Sequence, residues 1–175
     1  MEEGKLKGKR IAVVLESDFE DSEFYVPYEK LEGEGAKIVV IGLERGKELK
    51  GKKGGYRTNV EREFSDVDPD EFDALLIPGG YSPDKLRAYP EAIEFVKGFR
   101  DKPIAAVCHG PQLLITADMV RGKTMTSWKS ISVDLINAGA NYIDEQVVVD
   151  GNIITSRQPS DLEAFTKAII EKLVS

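Results

Sequence analysis

Four short runs of mostly apolar residues constrain this chain more than any other feature. They are Arg10-Ile11-Ala12-Val13-Val14-Leu15, Ala36-Lys37-Ile38-Val39-Val40-Ile41-Gly42, Ala74-Leu75-Leu76-Ile77 and Pro103-Ile104-Ala105-Ala106-Val107. All are too short for ordinary helices, and their interiors lack the polar alternation of a half-exposed strand. Strands of this kind are buried on both faces, which calls for a mostly parallel sheet with helices above and below. Between them the helical periods are visible. From Glu20 to Glu34 the positions Phe24, Tyr28 and Leu31 recur at helical spacing behind acidic residues, with Pro27 early in the helix or bending it and Gly33 and Gly35 ending it. A helix is expected from about Pro90 to Phe99, a short one over Ile131 to Ala138, and an amphipathic one from about Ser160 carrying Leu162, Phe165, Ile169 and Leu173. Thr124 to Thr126 reads as a short strand. Lys47 to Glu63, with Gly51, Gly54 and Gly55, reads as a strand excursion or hairpin, and Gln146 to Thr155 as a hairpin with Asp150-Gly151 as its type I′ turn dipeptide. The expected fold class is α/β, a three-layer α/β/α sandwich.

The chain has 175 residues, about one ordinary domain. A polar extension over 1–9 and a single domain over 10–175 are expected. A net charge of −7 argues against a surface for nucleic acid or anionic membranes, which would need clustered Lys and Arg. The basic run Lys47 to Lys53 reads as a solvated hairpin tip. One cysteine excludes an internal disulfide, and one cysteine with one histidine cannot supply the usual ligand set of structural zinc. No metal and no cofactor are expected. The start lacks an apolar core of signal-peptide length and no run approaches the roughly 18 apolar residues of a membrane span, so a cytoplasmic protein without membrane contacts is expected.

The only cysteine and the only histidine stand side by side in Ala106-Val107-Cys108-His109-Gly110-Pro111-Gln112, between a buried strand and the first turns of a helix. That is the layout of a nucleophile elbow, in which small residues flank the nucleophile because the turn is too tight for bulk; Ala106 and Gly110 hold those places. A thiol there sits at the positive end of a helix, which favours the thiolate. Ligands of such sheets collect at the carboxyl ends of the strands, where Ser17 to Asp21, Pro78 to Asp84 and Cys108-His109 converge. The glycines Gly79-Gly80 allow a close approach of substrate, and the amides of Gly80 and His109 form the expected oxyanion hole. Glu20 is the expected carboxyl against the sulfur, able when protonated to hand a proton to a carbonyl. His109 is the only imidazole available as a base, and Asp84, from this or a neighbouring subunit, is the candidate for orienting it.

Leu76-Ile77-Pro78-Gly79-Gly80, Ala106-Val107-Cys108-His109-Gly110-Pro111-Gln112, Ile136-Asn137-Ala138-Gly139-Ala140 and Thr155-Ser156-Arg157-Gln158-Pro159-Ser160-Asp161 resemble, in order and spacing, the PfpI family. Its superfamily also holds the Parkinson-associated stress protein and the class I glutamine amidotransferase domains. The similarity runs from about Arg10 to the C-terminus. It implies a flavodoxin-like sandwich, a dimer or hexamer, and a reactive cysteine, with members described as intracellular peptidases, glutathione-independent glyoxalases and deglycases. By position, Cys108 matches the nucleophile, His109 the adjoining base, Glu20 the carboxyl beside the sulfur and Gly80 the oxyanion donor. Asp84 stands where the peptidase-type member has a glutamate from the adjacent subunit, and Trp128 where it has a tyrosine lining the pocket beside Gly79. Both differences look like the glyoxalase and deglycase branch. An amidotransferase triad is excluded by counting, since no histidine follows His109. Three readings follow: a stress-defence enzyme acting on small aldehydes and on glycated proteins or peptides, a cysteine peptidase, or a redox sensor or holdase acting through Cys108 oxidation.

Overall fold

The computed structural model describes residues 4–175. Strand β1 (Arg10–Val14) leads to helix α1 (Asp21–Gly33) and β2 (Lys37–Gly42), followed by the hairpin β3 (Glu48–Lys50) and β4 (Arg57–Asn59) and the short β5 (Arg62–Glu63). The second half runs β6 (Ala74–Ile77), α2 (Ser82–Leu86), α3 (Pro90–Lys97), β7 (Ile104–Val107) and α4 (Pro111–Thr116). It then continues β8 (Thr124–Met125), α5 (Ser132–Asn137), β9 (Asn141–Tyr142), β10 (Val147–Asp150), β11 (Ile153–Ser156) and α6 (Leu162–Val174). All four apolar runs are strands of one seven-stranded sheet, in the order β10-β11-β7-β6-β1-β2-β5. Every pairing in it is parallel except the edge hairpin β10–β11.

Side-chain alternation divides the core into two layers. Ala12, Val14, Val39, Ile41, Leu75, Ile77, Ile104 and Ala106 point to the layer closed by α3, α4 and α5, where Phe72, Phe95 and Phe99 interlock edge to face or tilted. Ile11, Val13, Ile38, Val40, Leu76, Ala105 and Val107 point to the layer closed by α1 and α6. The sandwich expected from the sequence is therefore the one observed. Among the described residues, no helix is long and apolar enough to cross a membrane.

Three local readings differ from expectation. The β10–β11 turn is Gly151-Asn152, because Asp150 pairs with Ile153; only Gly151, at +59°, has positive φ, the pattern of a type II′ rather than a type I′ turn. Leu6, inside the expected polar extension, is fully buried in the α1/α6 layer, with its amide on the Glu34 carbonyl at 2.8 Å. The segment Asn141-Tyr142 forms a strand parallel to β8 that the sequence did not announce. The basic run is exposed on a hairpin as expected, but three of its lysines are paired: Lys47 with the buried Glu16 at 3.3 Å, and Lys52 and Lys53 with Glu20.

Phe99 is fully buried, with its ring 5.3 Å from Phe95 and 6.4 Å from Phe72. Removing it leaves a cavity that rigid neighbours cannot refill, so Phe99→Ala is expected to lower stability by about 3–5 kcal/mol in urea unfolding. Val133→Ala, on the exposed face of α5, should stay within about 0.5 kcal/mol of the parent.

Candidate active site

The sheet order changes direction between β1 and β6, since the chain adds β2 and β5 on one side of β1 and then returns to add β6, β7 and β11 on the other. In open α/β sheets such a switch leaves a crevice at the carboxyl ends of the strands. The segments after β1, β6 and β7 meet there. Phe19 and Gly80 form an isolated antiparallel bridge that ties the first two together, through Glu20 N–H to Gly79 O at 3.2 Å and Tyr81 N–H to Asp18 O at 2.8 Å.

Cys108 has φ of +63°, a left-handed conformation that costs a non-glycine residue about 1–2 kcal/mol. Its backbone is held there from both sides: its N–H donates to Ser156 O at 3.0 Å, and its carbonyl accepts from Trp128 N–H at 2.9 Å. Val107 and Cys108 consequently face the same core layer, which an unbroken strand cannot achieve. A methyl at Gly110 would come to 2.5 Å from the Ile77 carbonyl, and one at Gly79 to 2.5 Å from Glu23 Oε1 and 2.9 Å from Cys108 Cβ. Both glycines are therefore required by close packing. Gly80 is required twice over, by φ of +76° and by contact with the backbone of Asp18, Phe19 and Glu20.

The carboxyl beside the sulfur is Glu23, not Glu20. Glu23 is fully buried, its Oε1 accepts from the Gly79 amide at 2.9 Å, its Oε2 is buried without a hydrogen-bond partner, and its carboxyl acts directly on the Cys108 thiol. Burial, reinforced by the charge of Glu20, raises its pKa to about 8, so it carries its proton at neutral pH. Glu20, three residues earlier, is turned toward the β3–β4 loop, where Lys52 Nζ lies 2.8 Å and Lys53 Nζ 2.9 Å from its two oxygens. Burial opposes its ionisation, but the two ammonium groups outweigh burial and hold it below the usual carboxylate range.

The helix-end expectation for the thiol also needs correction. Cys108 is 8 % exposed, and burial together with the Glu23 carboxyl pushes its thiol well above the ordinary range, against the smaller pull of the His109 amide and the Lys52 charge. His109 lies with Nδ1 3.4 Å from Cys108 Sγ. Burial and Lys52 lower its pKa, opposed by Asp84, so the ring is neutral at neutral pH. Asp84 stands on the exposed side of α2 and acts on the ring through its charge. Trp128 is half-buried against the Cys108 backbone. The structure thus brings Cys108, His109, Gly79, Gly80 and Trp128 together as expected, leaves Asp84 at the rim, and replaces Glu20 by Glu23. Lys52, which the sequence reading set aside, stands close enough for its charge to bear on Cys108, Glu23 and His109.

A cysteine on a strained strand-to-helix turn, facing a buried carboxylic acid on a three-layer α/β sandwich, defines a class of nucleophile-elbow proteins. The chain belongs to the DJ-1/PfpI family, whose profile matches residues 9–172. It is 51 % identical over 167 residues to a Bacillus subtilis protein named "Putative cysteine protease YraA", covering 94 % of this chain and 98 % of that one. It is 45 % identical over 168 residues to "Protein/nucleic acid deglycase 2" of Escherichia coli, with the same coverage. Among solved structures it is similar to Drosophila melanogaster DJ-1beta, with TM-score 0.87 and 29 % identity over 95 % of this chain and 90 % of that one. It is also similar to a two-domain Anabaena variabilis protein with DJ-1/ThiJ/PfpI-like and ferritin-like domains, with TM-score 0.92 and 46 % identity, covering 94 % of this chain and 48 % of that one.

The raised pKa of Glu23 fixes the sign of a stability effect. A carboxyl that holds its proton more tightly when folded stabilises the fold below its unfolded value near 4.5, and that contribution is lost as pH rises toward about 8. Wild type should therefore lose up to about 1.4 kcal/mol per pH unit across this window from this one group. Glu23→Gln, which keeps an acceptor for the Gly79 amide, should flatten that slope and unfold at a higher temperature than wild type at pH 8. Thermal unfolding at pH 5, 6.5 and 8 measures both.

Proposed function

We propose that the chain is a cysteine-dependent enzyme acting on reactive carbonyls, a glutathione-independent glyoxalase and deglycase. The observation that carries this reading is the partner of the sulfur. Cysteine peptidases of the thiolate–imidazolium kind need a low thiol pKa and a high imidazole pKa. Here burial and Glu23 push the thiol up, while burial and Lys52 push the imidazole down, so both shifts oppose that ion pair. What the site offers instead is a buried carboxylic acid that is protonated at neutral pH, suited to protonating a carbonyl oxygen.

Loss of one proton from the Glu23–Cys108 pair leaves a single negative charge, and when it resides on sulfur the Glu23 proton stays available. The thiolate then adds to the aldehyde carbon: a C–S bond forms, the carbonyl π electrons move to oxygen, and Glu23 protonates that oxygen to give a hemithioacetal. The amides of Gly80 and His109 receive the developing oxyanion. His109, neutral and beside the sulfur, removes the proton from the former aldehyde carbon. Reprotonation at the neighbouring carbon yields a thioester, and water cleaves the C–S bond to release the hydroxy acid and regenerate the thiol. Methylglyoxal plus water becomes lactic acid in this sequence; from an aldehyde–amine adduct the amine leaves first. Trp128 and Gly79 line the pocket. The name of the E. coli deglycase relative supports the substrate class, and the name of a B. subtilis relative, "General stress protein 18" (47 % identical), supports a role in stress defence. A cytoplasmic homo-oligomer, a dimer or hexamer, completes the proposal.

Peptide hydrolysis is the second reading, favoured by the YraA name and by the action of Asp84 on His109. The test is lactate formation from methylglyoxal without glutathione, beside a fluorogenic peptide. Wild type should form lactate; Cys108→Ala should form none, and Glu23→Gln should lose about 10²-fold in kcat, as for removal of a positioned general acid. Cys108-dependent peptide cleavage without lactate would replace the carbonyl reading by the peptidase, and silence in both assays would favour a redox role for Cys108.

A further inference from the structure

The β3–β4 loop is built as part of the site. Asp18 N–H donates to Lys50 O at 2.7 Å and Lys52 N–H to Phe19 O at 2.9 Å, so the loop is tied to the segment that leads into α1. The Asp21 carboxylate, at the first turn of α1, accepts from the amides of Lys53 at 3.1 Å and Tyr56 at 3.2 Å. A methyl on Gly51 would run into that carboxylate, which shows how closely loop and helix are packed. Lys52 is thereby held with its ammonium 2.8 Å from Glu20 and 6.0 Å from the centre of the Tyr81 ring, the residue that follows Gly80. Its side chain is 37 % exposed, so solvent reaches it even while it is paired with Glu20. Two ammonium groups meet the one carboxylate of Glu20 there, because Asp21 is turned to backbone amides. The charge of Lys52 reaches Cys108, Glu23 and His109.

We propose that Lys52 is the anion subsite of the Cys108 pocket, so that the preferred carbonyl substrates carry a carboxylate near the reacting carbon. This rests on the carbonyl reading above and names its substrate class, but its test needs only the reactivity of the sulfur. Iodoacetate and iodoacetamide both alkylate a thiolate: the sulfur attacks the methylene carbon, an S–C bond forms, the C–I bond breaks and iodide leaves. The reagents are close in size and differ in charge. Because both consume the same thiolate, the ratio of their rates is independent of the thiol pKa.

Lys52→Met is expected to lower the iodoacetate-to-iodoacetamide rate ratio at Cys108 by about five- to tenfold at low ionic strength, and Lys52→Arg to restore it. Lys53→Met, which removes the neighbouring charge, should change the ratio less than twofold. An unchanged ratio in Lys52→Met would overturn the proposal, as would equal slowing of both reagents. An equal fall in Lys53→Met would overturn it too, since that would mark a general field rather than a subsite. Circular dichroism of each variant confirms that the rates are read on folded protein. A falling ratio without lactate formation would leave the subsite standing and remove the carbonyl enzyme, and lactate formation with an unchanged ratio would do the reverse.

Discussion

Glu23 is a carboxyl taken wholly out of water, with one oxygen on a single backbone amide and the other on none. An ionised carboxylate in such a place costs several kcal/mol or more, so the group keeps its proton, and the geometry around it is what makes keeping it useful. Gly79 lies between this carboxyl and Cys108, close enough to both that no side chain fits. The approach of α1 to the end of β6, the strained turn after β7 and the glycine pair therefore serve one contact.

The topology makes that contact possible. Because β1, β6 and β7 are adjacent in the sheet but distant in the chain, their carboxyl ends bring an acid, a bare backbone and a thiol into one crevice. The cross-links there are mostly backbone bonds. The Phe19–Gly80 bridge and the two bonds that pin Cys108 demand only that the chain pass through the right places, and the sheet register enforces that. A site assembled in this way is rigid at its floor. Its rim is made by side chains from the β3–β4 loop and α2, where charge can vary without disturbing the strands.

The central strands and the elbow were legible because each depends on local pattern: apolar runs of strand length, and a cysteine between a small residue and a glycine at the strand end. Glu23 was not legible because Glu20 stands in the segment that follows the first strand, Ser17 to Asp21, and at the position that the resemblance marks, whereas Glu23 lies one helical turn further on. The buried stripe runs through Phe24, Pro27 and Leu31, with Tyr28 half exposed, and Glu23 lies four residues before Pro27. Lys52 was hidden for a different reason. In sequence it belongs to a charge run, and only the fold reveals that Glu20 and Asp21, some thirty positions away, draw that run onto the site.

The charges around the sulfur also bear on which chemistry the site favours. A thiol and an imidazole in contact can exchange a proton only if the resulting ion pair is stabilised, and a buried cation beside Lys52 is penalised by both solvation and repulsion. A carboxylic acid beside the same thiol avoids that ion pair: once the two groups together have lost one proton, moving the single negative charge from oxygen to sulfur creates no further charge. Hydrolysing an amide requires a leaving nitrogen to be protonated, which is the task of an imidazolium. Adding to an aldehyde requires an oxygen to be protonated, which a neutral carboxylic acid can do. The same burial that keeps Glu23 protonated keeps His109 neutral, and both consequences favour addition to a carbonyl over cleavage of a peptide bond.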